Sequence, residues 1–194
     1  MTSPAAPRRR RSDALRSRTA LLDAAVQLLN APGDASVEAI AAQAGVSRQT
    51  VYAHFPSREA LLGAAVERVT EEAVAAMDAE RLDEGPAPQA LLRLLDASER
   101  TAGRYSTLLQ KFAALPTDTQ AEHTRHAPVA DRLRQLLQRG QREGEFDREL
   151  PTGWMVTVTV RLGHAAADEV EAGRLDRAEA SAALRTSLLR AFGA

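Results

Sequence analysis

Ser36-Val-Glu-Ala-Ile-Ala-Ala-Gln-Ala-Gly-Val-Ser-Arg-Gln-Thr-Val-Tyr-Ala-His-Phe-Pro-Ser-Arg58 decides the fold, because the stretch punctuates three short helices in close succession. Ser36 is placed to cap a helix whose inner face carries Ile40, Ala41 and Ala44, and Glu38 in its first turn complements the positive end of the helix dipole. Gly45 supplies the left-handed residue that a tight turn between two helices requires. Ser47 then caps a very short helix from Arg48 to about Phe55. Pro56 stops it, since the residue before a proline is pushed out of helical geometry. Ser57 opens a third.

At 100° per residue the middle helix divides into two faces. Val51 and Phe55 share the side that packs inward, while Gln49 and Ala53 stand nearly opposite, flanked by Thr50 and Tyr52. Stability alone poorly explains a short helix that exposes a Gln, a small Ala, two hydroxyls and an Arg in its first turn. A DNA major groove uses all of them: Gln and Arg form bidentate contacts to base edges, Ala meets a thymine methyl and hydroxyls bind phosphates. On this reading Arg48, Gln49 and Ala53 face bases. Thr50, Tyr52, His54 and Arg58 set register on phosphates.

Ala41-Ala-Gln-Ala-Gly-Val-Ser-Arg-Gln-Thr-Val-Tyr-Ala-His-Phe55, followed by Ser57-Arg-Glu-Ala-Leu61, resembles the DNA-binding signature of TetR-family transcriptional regulators. The resemblance is ungapped through the motif and extends over about residues 16 to 65. It implies that Ser47, Arg48, Gln49, Thr50, Tyr52 and His54 lie on the DNA side of a recognition helix. It also implies phosphate contacts from Ser36 and from Arg58, where the family more often has Lys. Ser36 and Val37 replace a frequent Thr-Thr-like pair, so residue 37 offers no hydroxyl to a phosphate. The function so implied is that of a repressor, a homodimer that reads a palindromic double-stranded operator and is released by a small-molecule effector.

The chain as a whole carries a net charge of −1, which by itself argues against a nucleic-acid partner. The charge is unevenly spread: residues 1–60 hold eight Arg against five acids, for +3, and residues 61–194 carry −4. Much of the excess is Arg8-Arg-Arg-Arg11, which reads either as a mobile basic arm that follows phosphates or enters a minor groove, or as a solvated tail. With 194 residues, 44% hydrophobic and 26% charged, the chain has room for one substantial core and a small satellite domain. No cysteine is available for a disulfide framework, a zinc finger or a thiol nucleophile. No apolar run approaches the roughly 20 residues that span a bilayer, so a cytoplasmic protein without membrane contact is expected.

The remainder reads as all-α, giving about nine helices in total. A helix from Ser17 to Asn30 carries Leu21, Leu22, Ala25, Val26, Leu28 and Leu29 as a broad apolar stripe and ends at Pro32-Gly33. Another starts near Arg58 and continues to about Arg81, ahead of the break Asp83-Glu-Gly-Pro-Ala-Pro88. Further helices are expected at about 89–102, 104–114, 120–143 with an interruption near Ala127-Pro128, 152–173 capped by Thr152, and 177–192 opened by the box Asp176-Arg-Ala-Glu179. This gives a flexible basic arm (1–15), a helix-turn-helix domain (16–63) and a C-terminal ligand-binding and dimerisation domain (64–194), with the second boundary inside one continuous helix. That helix is the expected lever between effector and DNA.

Trp154, Val158, Leu162, Ala165 and Ala166 line one face of the penultimate helix, and Leu184, Leu188, Ala191 and Phe192 line one face of the last. They either complete a monomeric core or, as the resemblance implies, build a four-helix dimer interface. Candidate effector contacts are the apolar inward positions Met77, Leu95, Tyr105, Leu109, Phe112, Leu136, Trp154 and Met155, with Arg104, Arg161 and His164 available to an anionic group. Glu122, His123 and His126 share helical spacing that suits a metal, but no third strong ligand accompanies them, and no metal or cofactor is expected. His54 belongs to the recognition segment, and His164 reads as a packing residue.

An enzyme is the competing class. No Gly-rich phosphate loop, nucleophile elbow, paired-carboxylate or Ser/His/Asp constellation stands out, so catalysis is not expected. A helix-turn-helix that serves protein partners is the other alternative, and the sign of the surface across the recognition helix separates it from a DNA reader.

Overall fold

The computed structural model describes the backbone of residues 6–116 and 119–194, and the side chains of residues 15–116 and 124–194. All regular structure among these residues is helical: α1 (Ala6–Asn30), α2 (Val37–Gln43), α3 (Arg48–His54), α4 (Arg58–Ala79), α5 (Ala87–Arg104), α6 (Ser106–Ala113), α7 (Thr119–Glu143), α8 (Thr152–Glu171) and α9 (Arg177–Ala191). The β-branched run Val156–Val160 lies inside α8, so the all-α expectation holds.

The helices form two compact units, and α4 passes from one to the other between Glu72 and Ala73. The first unit holds the chain up to Glu72 together with Thr101–Glu122. Its core joins Leu21, Ala25 and Leu29 of α1, Ile40 and Ala41 of α2, Val51 of α3, Leu61, Ala65 and Val66 of α4 and Leu108 of α6. Helices of seven residues, such as α2 and α3, are too short to persist alone. Burial of a Val, Leu or Ile side chain is worth about 1.5–3 kcal/mol, so this shared core is what keeps them folded.

Polar contacts tie α6 to the end of α1. The Asn30 amide donates to the Arg104 carbonyl at 2.8 Å and accepts from the Leu108 amide at 3.2 Å. Lys111 Nζ donates to the carbonyls of Leu29, Ala31 and Gly33 at 2.7, 3.0 and 2.7 Å, satisfying one acceptor in the last turn of α1 and two in the segment that follows it. Tyr105 donates to Glu72 at 2.6 Å, and Arg104 pairs with the same carboxylate.

The second unit, Ala73–Arg100 with His123–Ala194, packs Met77, Leu91, Leu94, Leu133, Leu137, Met155, Leu188 and Phe192 into its own core. Gly140 is required there, because a Cβ at that position would lie 2.2 Å from the Phe146 ring and 2.8 Å from Ala87. Arg139 donates to the carbonyls of Gly85 and Leu82 in the turn before α5, at 2.9 and 3.0 Å.

Three sequence expectations change. The first helix starts at Ala6 rather than Ser17, so Arg8–Arg11, expected in a flexible arm, fall within α1; Ala and Arg favour helix, and Pro7 is tolerated in a first turn. The side chains of those arginines lie outside the described residues. α7 runs through Pro128 without the expected interruption. Thr152 is the first residue of α8 rather than its cap: Pro151 holds the cap position, and the Thr152 hydroxyl lies 2.8 Å from Gln141 Oε1.

Candidate nucleic-acid interface

The starts of α2, α3 and α4 are each fixed by a serine. Ser36 Oγ accepts from the Ala39 amide, Ser47 Oγ from the Thr50 amide and Ser57 Oγ from the Ala60 amide, each at 3.1 Å. Between α2 and α3 Gly45 takes φ +68, the left-handed conformation the turn requires. Phe55 is extended, and α3 ends before Pro56. Together these caps set the direction in which α3 leaves the core.

Val51 and Phe55 are buried at 1% and 4% exposure and anchor α3 on the cluster that contains Ile40 and Ala41. Gln49, Tyr52 and Ala53 are exposed on the other side, with Arg48 at the helix start. Thr50 is half-buried, its hydroxyl 2.9 Å from that of Ser47, so the two hydroxyls form one polar pair at the start of α3. His54 is half-buried beside the Phe55 ring, and Arg18 of α1 lies over that ring at 5.6 Å. Ser36 and Arg58 are both exposed, so the nine candidate DNA contacts occupy α3 and the N-terminal turns of the helices on either side of it.

Both arginines of the surface are already paired. Arg48 meets Glu38 of α2 at 2.5 Å and lies over the Tyr52 ring at 5.4 Å. A hydrogen bond with Tyr52 and the charge of Glu38 push its guanidinium above the usual arginine range. Arg58 donates to Asp34 at 3.0 Å. Asp34 and Glu38 were not among the sequence candidates. Their signal was their place, flanking the cap Ser36, but pairing across 24 residues depends on tertiary geometry that no local pattern carries.

The proposed effector contacts fall in different cores. Tyr105, Leu109 and Phe112 pack at the edge of the first unit's cluster, while Met77 and Met155 are fully buried in the second, beside Leu95 and Leu136. Trp154 is 58% exposed, and Arg161 also faces outward. Of the dimer candidates, Leu184, Leu188 and Phe192 are used inside the second unit's own core, because the apolar stripe of α9 turns towards it. Val158, Leu162 and Ala166 are half-buried and Ala165 is exposed on α8. His126 and His164 bring their rings to 5.3 Å, a contact that sequence spacing did not reveal; the side chains of Glu122 and His123 lie outside the described residues.

A short helix, a tight turn at Gly45 and a second capped helix standing on a buried pair have the form of a helix-turn-helix module. Residues 21–65 match the family model of bacterial regulatory proteins, tetR family. Over 97 residues the chain is 37% identical to the HTH-type transcriptional repressor LfrR of Mycolicibacterium smegmatis. That match covers 50% of each protein, so the chain spans about half the length of the curated relative it matches. The solved structure of LfrR from Mycobacterium smegmatis in complex with proflavine is similar over 89% of this chain and 95% of that one, with 26% identity and a TM-score of 0.57. A tetR family transcription regulator from Shewanella sp. PV-4 is similar over 91% and 97%, with 25% identity and a TM-score of 0.65. The tetR match is thus confined to residues 21–65, and over most of its length the chain is similar in fold to solved structures described as TetR-like regulators.

Proposed function

We infer that this protein is a sequence-specific DNA-binding repressor that acts as a homodimer. The observation that carries the reading is the exposed row Arg48, Gln49, Tyr52 and Ala53 on a helix anchored by Val51 and Phe55, within the residues that match the tetR family. Arg48 and Gln49 read base edges, Ala53 meets a methyl group, and Ser36, Ser47, Thr50, Tyr52, His54 and Arg58 hold phosphates. A two-fold dimer presents two such helices about 34–36 Å apart and so reads a palindrome. Residues 16–63 carry the reading function, and residues 64–194 supply dimerisation and effector binding, with Val158, Leu162, Ala165 and Ala166 of α8 available to a partner copy. No catalysis is part of this reading. Among the described residues no helix is long and apolar enough to cross a membrane.

Release by an effector is the second part of the proposal. LfrR is described in complex with proflavine, which supports a small-molecule ligand for this chain as well. Tyr105, Leu109 and Phe112, half-buried on α6 and just before it, are the candidate contacts that need least rearrangement to meet a ligand. In the second unit the candidate contacts, taken by themselves, are Met77, Met155, Trp154 and Arg161. A ligand lowers operator affinity only by its preference for the conformation that binds DNA poorly, and α4, a single helix shared by both units, is the proposed carrier of that coupling.

Selection of tight-binding duplexes from a randomised double-stranded library, followed by titration at several salt concentrations, tests the first part. The expected result is a palindromic consensus bound with an affinity that falls steeply with salt. Binding that is flat across sequence and salt removes the DNA reading. Adding proflavine to the selected complex tests the second, and unchanged affinity removes that ligand class.

A further inference from the structure

We propose that Asp34 and Glu38 are specificity-determining residues: each holds one arginine of the DNA-facing surface in an ion pair, so that productive phosphate or base contact requires exchanging that partner. The inference rests on the DNA-binding reading and deepens it.

Arg48 is the first residue of α3 and Arg58 the first residue of α4. A cation in the first turn of a helix is opposed by the helix dipole, so neither arginine is placed there for helix stability. Each meets a carboxylate from the segment around the cap of α2: Glu38 at 2.5 Å from Arg48, Asp34 at 3.0 Å from Arg58. All four side chains are well exposed, at 61% and 55% for the first pair and 44% and 83% for the second. Surface pairs of this kind contribute little to folding and exchange readily.

A phosphate that approaches either guanidinium also approaches the carboxylate already bound to it. Two anions then compete for one cation, and the loose, sequence-independent contacts that dominate non-specific binding are weakened most. A bound operator repositions both arginines into a complete set of contacts and separates them from their acids. Glu38 and Asp34 therefore raise the threshold for binding any duplex and leave the matched duplex least affected, which is discrimination by opposing the wrong partner.

The test uses the full chain carrying Glu38→Gln, Asp34→Asn or both, with electrophoretic mobility shifts on the duplex selected by the wild type and on the unselected random pool. Glu67→Gln makes the same charge change at an exposed position nine residues beyond Arg58 on α4, and serves as the control. Each of the first two substitutions is expected to tighten binding to the random pool by about two- to five-fold, the effect of freeing one exposed pair, with a steeper salt dependence of about one contact. The selected duplex gains less than half of that factor, so the ratio of specific to non-specific affinity falls. Equal gains on both duplexes, no gain, weaker binding to the selected duplex, or the same effect from Glu67→Gln would each overturn the proposal. Circular dichroism confirms that the variants keep their helix content. If the wild type selects no consensus at all, the DNA reading itself fails and the proposal goes with it; a wild-type consensus with an unchanged ratio in the variants removes the proposal alone.

Discussion

Two residues apart on α3, exposed Gln49 and buried Val51 separate the face proposed to read DNA from the face that holds the helix. Val51 is 1% exposed, and Val51→Ala removes two methyl groups from the first unit's core; chemical unfolding should show a loss of about 2 kcal/mol. Gln49→Ala should leave unfolding within about 0.5 kcal/mol of the wild type while the selected consensus loses preference at one position in each half-site. Gly45→Ala is a different case: the site has open space around it, but φ +68 is strained for any L side chain, and about 1 kcal/mol of stability should be lost. These three positions were legible from the sequence, because cap spacing and the 100° rotation per residue are local properties. The pairs Arg48 with Glu38 and Arg58 with Asp34 were not, since they depend on how α2, α3 and α4 are set against one another.

Among the elements, α6 is the one whose partner the sequence hid. Its periodicity gives it an apolar face, yet nothing local says that Lys111 reaches the carbonyls of Leu29, Ala31 and Gly33, or that Asn30 bridges Arg104 and Leu108. Lys111→Met keeps most of the side chain's bulk and removes the donor. It should lower the first unit's unfolding midpoint by an amount equivalent to about 1–3 kcal/mol, since acceptors of a partly buried cation are left unmet. Full stability in that variant would show that water replaces the ammonium group without loss. The same limit explains α9: the pattern located Leu184, Leu188 and Phe192 on one face, and only the packed second unit shows that this face points inward. α7 continues through Pro128, and just beyond the proline Val129 and Ala130 pack against the second unit's core.

At the scale of the whole molecule, acid should loosen the second unit in a defined way. Arg132 donates to both carboxylate oxygens of Asp78, at 3.0 and 2.8 Å, and holds that carboxyl below its usual range. Folded Asp78 thus binds its proton less readily than unfolded Asp78, so the pair's stabilisation is complete above an unfolded value of about 3.9 and is lost as the pH falls through the lower folded value. Asp78 is about half exposed, which limits the effect to about 0.5 kcal/mol. Urea unfolding of wild type and Arg132→Met should differ by about that amount at neutral pH and converge in strong acid.

Trp154 is the chain's single tryptophan, and 58% of it is exposed in the first turn of α8. Its indole emission therefore arises from one place and starts from the long-wavelength position of a wetted ring. Whatever covers that turn, a second copy of the chain or a ligand, should move the spectrum to shorter wavelength, while events confined to α3 should leave it where it is. The protein carries its own optical gauge of one face, readable without a label.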